Sequence, residues 1–247
     1  MNDAMLAETV NVEGHDGDVI PAYLARPLGA GPFPGVVVIH HMPGYDPGSR
    51  EIVRRFASEG YAAICPNLHH RYAPGASHGE AAGATREAGG VPDAQCISDV
   101  VAAADHLRLL ASSNGKVGVI GYCSGGRQAY LVACNAKFDA AVDCYGGRVV
   151  APADALTAAQ PVAPIDMTAD LGCPLLGLFG ANDTHPGPEE VAQIAAALDA
   201  HGKEYEFHTY DDAGHAFFTV DRPNYNVAAA LDGWDKVFDF FGRHLSA

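Results

Sequence analysis

The sequence predicts an α/β fold, in which a mostly parallel central sheet carries helices on both faces. Strand-like and helix-like segments alternate along all 247 residues, as they do when helices connect parallel strands. Residues 35–40 form a β-branched run that is typical of a strand buried on both faces. A glycine-rich hexapeptide at residues 121–126 separates another buried strand from a helix, which predicts a sharp turn at the edge of the sheet.

The N-terminal half is predicted to open with a hairpin and to continue as strand, helix and strand. His15-Asp16-Gly17 is a turn sequence between two strand-like runs, and the later helix has apolar residues at helical spacing. The predicted elements are strands 9–12, 19–26 and 35–40, helix 49–59 and strand 61–65. Residues 66–91 are predicted as one long loop, and such loops in compact domains usually cover or bind a ligand.

The C-terminal half continues the alternation. The predicted elements are helix 93–111, strand 116–120, helix 128–134, strands 139–144 and 175–180, helix 189–201, strand 204–210 and helix 226–245. Residues 151–170, rich in proline and alanine, are predicted to be irregular. No linker, repeat or abrupt change of charge divides the chain, so we expect a single domain over residues 1–247.

The formal net charge of −15 at pH 7 excludes functions that need a basic surface. It argues against partners such as nucleic acid and anionic membranes. Residues 1–10 lack the basic and apolar regions of a signal peptide, and no apolar run approaches the ~20 residues that span a bilayer. The six cysteines have no paired spacing, so we expect reduced thiols in a cytoplasmic protein. The sequence does not indicate an oligomeric state.

The hexapeptide Gly-Tyr-Cys-Ser-Gly-Gly, with Cys123 at its third position, carries the strongest functional signal. It matches the G-x-nucleophile-x-G turn of the α/β-hydrolase fold, with cysteine in place of the usual serine. Glycines two positions to either side suit this turn, because the backbone of the nucleophile is strained and its neighbours are crowded. A cysteine in such a turn can also be a small buried apolar residue, so the hexapeptide alone does not decide the function.

Two later segments complete a candidate catalytic triad. Asp183 follows the predicted strand 175–180, and His215 follows strand 204–210. Nucleophile, acid and histidine therefore occur in the chain order of the α/β-hydrolase fold, each just past a strand. In such a triad the histidine takes the thiol proton and the aspartate orients the imidazole. We therefore expect an α/β-hydrolase fold and an ester or lactone hydrolase that forms a thioester on Cys123, without cofactor or metal.

The predicted reaction passes through an oxyanion, which two backbone N–H groups must stabilise. Ser124, directly after the nucleophile, is expected to supply one of them. The other is expected from the loop after strand 35–40, where Met42 is the candidate because Pro43 has no N–H.

Five sequence motifs resemble those of the dienelactone hydrolase family, the cysteine-dependent branch of the α/β-hydrolases. They are GYCSGG, GANDTHP around Asp183, AGHAFF around His215, HHMPGYDP after the first central strand and RYAPG at residues 71–75. The resemblance runs from about residue 35 to residue 220. It implies hydrolysis of enol-lactones or small esters, with Cys123 as nucleophile, His215 as its base and Asp183 as the residue that orients the imidazole.

One departure from the family pattern lies beside the nucleophile. The resemblance implies a glutamate that holds the resting thiol, and aligning Pro43-Gly44 with the family loop puts His41 at that position. A carboxylate favours a neutral thiol, whereas an imidazole favours a thiolate, so we expect Cys123 to ionise more readily than in those relatives. The alternative is that His41 only makes a hydrogen bond to the loop backbone.

The second departure concerns the two arginines with which the family binds a substrate carboxylate. Arg71, in RYAPG, matches the first, but Thr219 stands near the place expected for the second. Arg148 and Arg222 are candidate replacements, and either can equally be an ordinary surface residue. The candidates for lining the substrate pocket are Tyr72 and Tyr145.

Two other functions stay open at this point. Histidine pairs at residues 40–41 and 69–70, with His78 nearby, raise the possibility of a zinc-dependent hydrolase. Adjacent histidines on an extended segment point in opposite directions, however, so each pair offers at most one ligand to a given metal. The chain can also be a non-catalytic member of the fold that only binds a small ligand.

Overall fold

The computed structural model describes residues 4–220 and 222–246, which contain one eight-stranded sheet. Its strands are β1 (Met5–Glu13), β2 (Val19–Pro27), β3 (Phe33–Ile39), β4 (Ala62–Pro66), β5 (Ser113–Tyr122), β6 (Ala140–Cys144), β7 (Leu175–Gly180) and β8 (Tyr205–Tyr210). Their order across the sheet is β1-β2-β4-β3-β5-β6-β7-β8. The pairs β1–β2 and β2–β4 are antiparallel and the other five are parallel. This mostly parallel sheet confirms the predicted α/β-hydrolase fold.

Helices cover both faces of the sheet, as the sequence predicts. They are α1 (Pro47–Ser58), α2 (His78–Glu87), α3 (Asp93–Arg108), α4 (Ser124–Asn135), α5 (Pro188–Ala200) and α6 (Val227–Leu245). Apolar residues of α1 and α6 form one core with the sheet, and those of α3, α4 and α5 form the other. Each helix within residues 4–220 and 222–246 is too short or too polar to cross a lipid bilayer.

The parallel register brings the predicted site residues to one edge of the sheet. Strand β5 pairs with β3 on one side and β6 on the other, and β6 pairs in turn with β7. The carboxyl ends of parallel strands meet at one edge, where open α/β sheets bind their ligands. The segments that follow these strands contain His41, Cys123, Tyr145 and Asp183.

The prediction of one continuous loop over residues 66–91 is wrong, because α2 lies within it. The Ser77 side chain accepts a hydrogen bond from the Glu80 backbone N–H, and the Glu80 carboxylate accepts one from the Ser77 N–H. This reciprocal cap satisfies two N–H groups at the start of the helix. The predicted irregular segment 151–170 contains two short 3₁₀ turns and no longer element.

Candidate active site

Cys123 lies in a strained turn between β5 and α4. Its backbone has φ 56° and ψ −119°, and its N–H donates to the Cys144 carbonyl at 3.0 Å. The neighbouring glycines are required by close backbone approach: a Cβ on Gly121 would lie 1.8 Å from the Gly125 carbonyl oxygen, and one on Gly125 would lie 2.4 Å from that of Ile39. The turn therefore leaves the Cys123 side chain half-buried at the start of α4.

The three predicted triad side chains meet at one imidazole. The Nδ1–H of His215 donates to Asp183 Oδ2 at 2.7 Å, and Asp183 is only 5% exposed. The second carboxylate oxygen accepts the His185 backbone N–H at 2.8 Å, which fixes the orientation of the carboxylate. Burial lowers the pKa of His215, but hydrogen bonds to Asp183 and Cys123 outweigh burial and raise the pKa to about 10. The imidazole is therefore charged at neutral pH, between a carboxylate and a thiol.

The two predicted oxyanion donors lie on segments that touch each other. A Cβ on Gly125 would lie 2.8 Å from the His40 carbonyl oxygen, so the loop after β3 packs against the first turn of α4. Among the residues that the structure describes, neither the Met42 N–H nor the Ser124 N–H donates to a protein acceptor. Both groups are thus unused by the fold, which an oxyanion hole requires.

His41 makes a hydrogen bond that neither of the two sequence-based interpretations anticipated. Its Nε2 lies 2.7 Å from Asp46 Oδ2, while Asp46 Oδ1 accepts the Ser49 N–H at the start of α1. Burial raises the pKa of Asp46, but the bonds from His41 and Ser49 outweigh it and hold this pKa well below its usual value. His41 is therefore anchored to a carboxylate, and only its Nδ1 is available to another partner. Its effect on the Cys123 thiol stays a prediction.

The two buried histidines of the predicted metal set, His40 and His69, pack against each other, and both ring nitrogens of His40 are hydrogen-bonded. His40 Nδ1 bonds to the His41 carbonyl at 2.9 Å, and His40 Nε2 accepts the Leu68 N–H at 3.2 Å. The ring of His69 packs edge-on against His40, with the ring centroids 4.6 Å apart. Burial lowers the pKa of His40 to about 4 and that of His69 to about 3, so both rings are neutral at pH 7. Residues 4–220 and 222–246 contain no group of three or more His, Cys, Asp or Glu side chains arranged to hold a metal ion.

Arg71 lies in an ion-pair network between the N-terminal hairpin and α3. Its Nε donates to Asp18 Oδ2 at 2.6 Å, and its Nη1 and Nη2 donate to the two carboxylate oxygens of Asp99 at 2.7 and 3.1 Å. Asp99 is fully buried. The guanidinium is therefore already engaged, and the structure does not bring Arg71 together with the triad residues.

The other predicted substrate-binding residues have different surroundings. The Tyr72 hydroxyl lies 3.4 Å from Gln95 Oε1 on α3, and Arg148 Nη2 donates to the Ala155 carbonyl at 2.6 Å. The ring of Tyr145 packs edge-on against the His215 imidazole, with 5.2 Å between the ring centroids. Of these three residues, only Tyr145 is seen in contact with a triad side chain, and its ring is buried beneath the histidine.

Three cavities lie around these residues. Cavity A, of about 480 Å³, extends between α1 and α6 and reaches His41 and Thr219. Cavity B, of about 440 Å³, is lined by Asp183, His215 and the polar segments beside them. Cavity C, also about 440 Å³, lies between Pro43 and the helix α2.

Cavity C contains a candidate anion site that the sequence analysis partly missed. Arg86 of α2 and Arg222 of the loop after His215 both line it, and neither forms an ion pair with a described residue, whereas the Asp46 carboxylate that also lines it is bound to His41. The sequence indicates Arg222 as a candidate but not Arg86, because it predicts residues 66–91 to be a loop. The signal that locates Arg86 is the capping pair Ser77 and Glu80, which marks the start of α2 (His78–Glu87), the helix that contains Arg86.

Comparisons with known proteins agree with this architecture. The sequence profile of the dienelactone hydrolase family matches residues 20–245. A provisionally named carboxymethylenebutenolidase of Salmonella typhimurium is 38% identical over 237 residues, which cover 92% of this chain and 84% of the relative. A probable 2-oxo-3-(5-oxofuran-2-ylidene)propanoate lactonase of a Bradyrhizobium species is 28% identical over 247 residues, or 98% of each chain.

A solved crystal structure has the same fold over nearly the whole chain. The crystal structure of a provisionally assigned dienelactone hydrolase from Klebsiella pneumoniae superposes with a TM-score of 0.88 at 32% identity, over 97% of this chain and 99% of that one. The family profile covers most of the chain, and relatives above 30% identity match it over nearly their whole length. This chain is therefore a hydrolase that belongs to the dienelactone hydrolase family.

Proposed function

We propose that this enzyme hydrolyses a small ester or lactone through a thioester on Cys123. The observation that carries the proposal is the His215 imidazole, which bonds to Asp183 at 2.7 Å and whose pKa the neighbouring carboxylate and thiol raise to about 10. A charged imidazole beside a thiol stabilises the thiolate, which is the nucleophilic form of cysteine. Asp183 stabilises the imidazolium and fixes its orientation.

The first half of the proposed reaction forms the thioester. The Cys123 thiolate attacks the carbonyl carbon, a C–S bond forms, and the carbonyl electron pair moves to oxygen. The N–H groups of Ser124 and Met42 stabilise this oxyanion. When the intermediate collapses, the C–O bond to the alkoxide breaks and His215 gives the alkoxide its proton. In a lactone the released hydroxyl stays attached to the acyl group.

The second half returns the enzyme to its starting state. His215, now neutral, takes a proton from water, and the resulting hydroxide attacks the thioester carbonyl. Collapse of the second intermediate breaks the C–S bond and releases the carboxylic acid, while the thiolate and imidazolium are restored. A thiolate leaves such an intermediate more readily than an amine does, so we expect esters and lactones to react in preference to amides.

Cavity C supports an anionic substrate. The relatives include a lactonase named for a propanoate, and Arg86 and Arg222 lie in a cavity beside the loop that contains Met42. A protein with a net charge of −15 must attract an anion by local cations, and arginine is well suited to a carboxylate. We therefore propose that a carboxylate of the substrate binds these two arginines.

Hydrolysis of p-nitrophenyl acetate and of a dienelactone tests the proposal. The wild type should hydrolyse both, Cys123→Ala should reduce kcat at least about 1,000-fold, and EDTA should have no effect. Cys173→Ala is the matched control, because this thiol is also half-buried but lies before the amino end of β7, whereas Asp183 follows the carboxyl end of that strand. Turnover that survives Cys123→Ala and disappears with EDTA would instead support a metal-dependent hydrolase. Absence of turnover of any activated ester would support a ligand-binding role.

A further inference from the structure

Cavity A, the largest of the three cavities, has no role in the proposed reaction steps. It lies between α1 and α6, on the face of the sheet opposite to α3 and α4. Its walls are mainly apolar, and the side chains that form them include Val38, Ile52, Tyr122, Phe218 and Trp234. Its volume of about 480 Å³ falls within the range of cavities that hold small organic ligands.

Cavity A is continuous with the elements that carry the triad. Tyr122, in its wall, directly precedes the nucleophile, and His41 directly precedes the proposed oxyanion donor Met42. Phe218 and Thr219 belong to the loop that begins with His215. Cys123 itself packs against the same apolar cluster as Tyr122 and Phe218. The wall of cavity A therefore shares an apolar cluster with the nucleophile.

The charges at the rim of cavity A favour an uncharged occupant. Glu51 and Arg54 form an ion pair with each other, and the Arg55 guanidinium lies 4.3 Å from the centroid of the Trp234 ring. Three carboxylates (Asp46, Glu51 and Glu59) and two arginines (Arg54 and Arg55) line the cavity, and the third carboxylate, Asp46, already accepts hydrogen bonds from His41 and the Ser49 N–H. An apolar group would bury its surface against the aromatic walls without leaving a charge unpaired.

We propose that cavity A holds the acyl group of the substrate, and that it sets the preferred length and bulk of that group. This inference rests on the proposed thioester mechanism. His215 must protonate the leaving alkoxide, so the alkoxide lies on the histidine side, where cavity B is lined by His215 and polar residues. Cavity A is lined by none of the triad side chains, but its wall residues Tyr122 and Phe218 belong to the apolar cluster against which Cys123 packs, and we therefore assign to it the part of the substrate that stays bound to sulfur.

Two opposite substitutions at one position test the proposal. Ile52→Trp fills cavity A and Ile52→Ala enlarges it, while Leu231→Trp adds the same bulk to a side chain of α6 that is 55% exposed. The measured quantity is kcat/KM for p-nitrophenyl acetate, butyrate and octanoate. We expect Ile52→Trp to lower the octanoate-to-acetate ratio at least about tenfold, Ile52→Ala to raise it, and Leu231→Trp to leave it unchanged.

A second substrate series separates the acyl group from the alcohol. Phenyl acetate and 1-naphthyl acetate differ only in the leaving group, so both Ile52 variants should keep their wild-type ratio for this pair. Unchanged acyl ratios in both variants, or a change confined to the alcohol series, would overturn the acyl assignment. If the wild type shows no turnover of p-nitrophenyl acetate that depends on Cys123, the proposed function on which the inference rests is overturned instead.

Discussion

Cys123 differs from the other five cysteines in what surrounds its sulfur. Burial raises the pKa of Cys134 and Cys173 to about 12, and it raises the pKa of the three remaining thiols further (Cys65, Cys96 and Cys144). These five groups are neutral thiols at pH 8. Cys123 instead adjoins His215, whose raised pKa of about 10 keeps the imidazole charged at that pH.

This contrast predicts single-site alkylation. At pH 8 iodoacetamide should modify about one thiol per folded chain, because only the Cys123 thiol is hydrogen-bonded to a cationic side chain, whereas burial keeps the other five thiols neutral. His215→Gln should slow this reaction at least about tenfold, and Cys123→Ser should abolish it. Mass spectrometry of the intact protein provides the count. Rapid modification of a second cysteine in the folded protein would contradict the prediction.

Substitution of Arg71 is predicted to lower stability, whereas substitution of Arg86 is predicted to weaken substrate binding. Arg71→Ala leaves the fully buried Asp99 without its cation and should lower the free energy of unfolding by about 3–5 kcal/mol. Arg86→Ala changes an exposed residue and should leave stability within about 0.5 kcal/mol, while raising KM for an anionic lactone. Urea unfolding and steady-state kinetics measure the two effects. An increase in KM with Arg71→Ala, at unchanged stability, would restore the carboxylate-binding role first expected of Arg71.

At the scale of elements, the nucleophile turn and the loop after β3 depend on each other. A Cβ on Gly125 would meet two backbone carbonyl oxygens, that of Ile39 at the end of β3 at 2.4 Å and that of His40 in the loop at 2.8 Å, and neither can rotate away as a side chain does. Gly125→Ala should therefore displace the segment that contains Met42 and reduce kcat at least about 100-fold.

The helix α2 provides the matched control for this substitution. A Cβ on Gly83, inside α2, would meet no atom within 4 Å. Gly83→Ala should thus leave kcat unchanged and stabilise the protein by about 0.5–1 kcal/mol, because alanine favours the helix more than glycine does. Circular dichroism checks that both variants are folded. Wild-type kcat in Gly125→Ala would contradict the proposed dependence.

The sequence was sufficient to predict the strands and helices with strong apolar patterns, such as β3, β7 and α6. It was not sufficient for α2, whose buried side chains are the small residues Ala81, Ala82 and Thr85. Their weak apolar signal left the capping pair Ser77 and Glu80 as the main indication of a helix.

In the candidate site, too, some features are predictable from the sequence and others are not. Cys123, Asp183 and His215 were predictable because each follows a strand in a motif of its own. The ion pair of Arg71 with Asp99 joins residues 28 positions apart, and the bond of His41 to Asp46 depends on how the loop turns into α1. Such contacts follow from tertiary packing, which local patterns do not encode.

At the scale of the whole molecule, one buried carboxyl group is predicted to make stability depend on pH. Asp143 lies in β6 at the centre of the sheet, and burial raises its pKa from 3.8 to about 7. Between these two values the folded protein binds more protons at Asp143 than the unfolded chain does. The contribution of Asp143 to stability therefore becomes less favourable as the pH rises from about 4 to about 7.

Asp143→Asn should remove this dependence, because the amide keeps an oxygen that can accept the Gly146 N–H and has no charge to lose or gain. The free energy of unfolding of the wild type, relative to that of Asp143→Asn, should fall between pH 4.5 and pH 7.5. Urea titrations of both proteins at several pH values give this difference. A difference that stays constant over the range would show that Asp143 does not titrate in this way.

The backbone conformation of Cys123 has a consequence for how this chemistry can vary. The turn is fixed by glycine-to-carbonyl approaches and by the bond from the Cys123 N–H to Cys144, none of which involves the sulfur atom. The main chain thus fixes the Cys123 Cβ, from which the attacking atom extends. A different nucleophile of similar size can replace the thiol there while the surrounding architecture stays the same, so reactivity and scaffold can change independently.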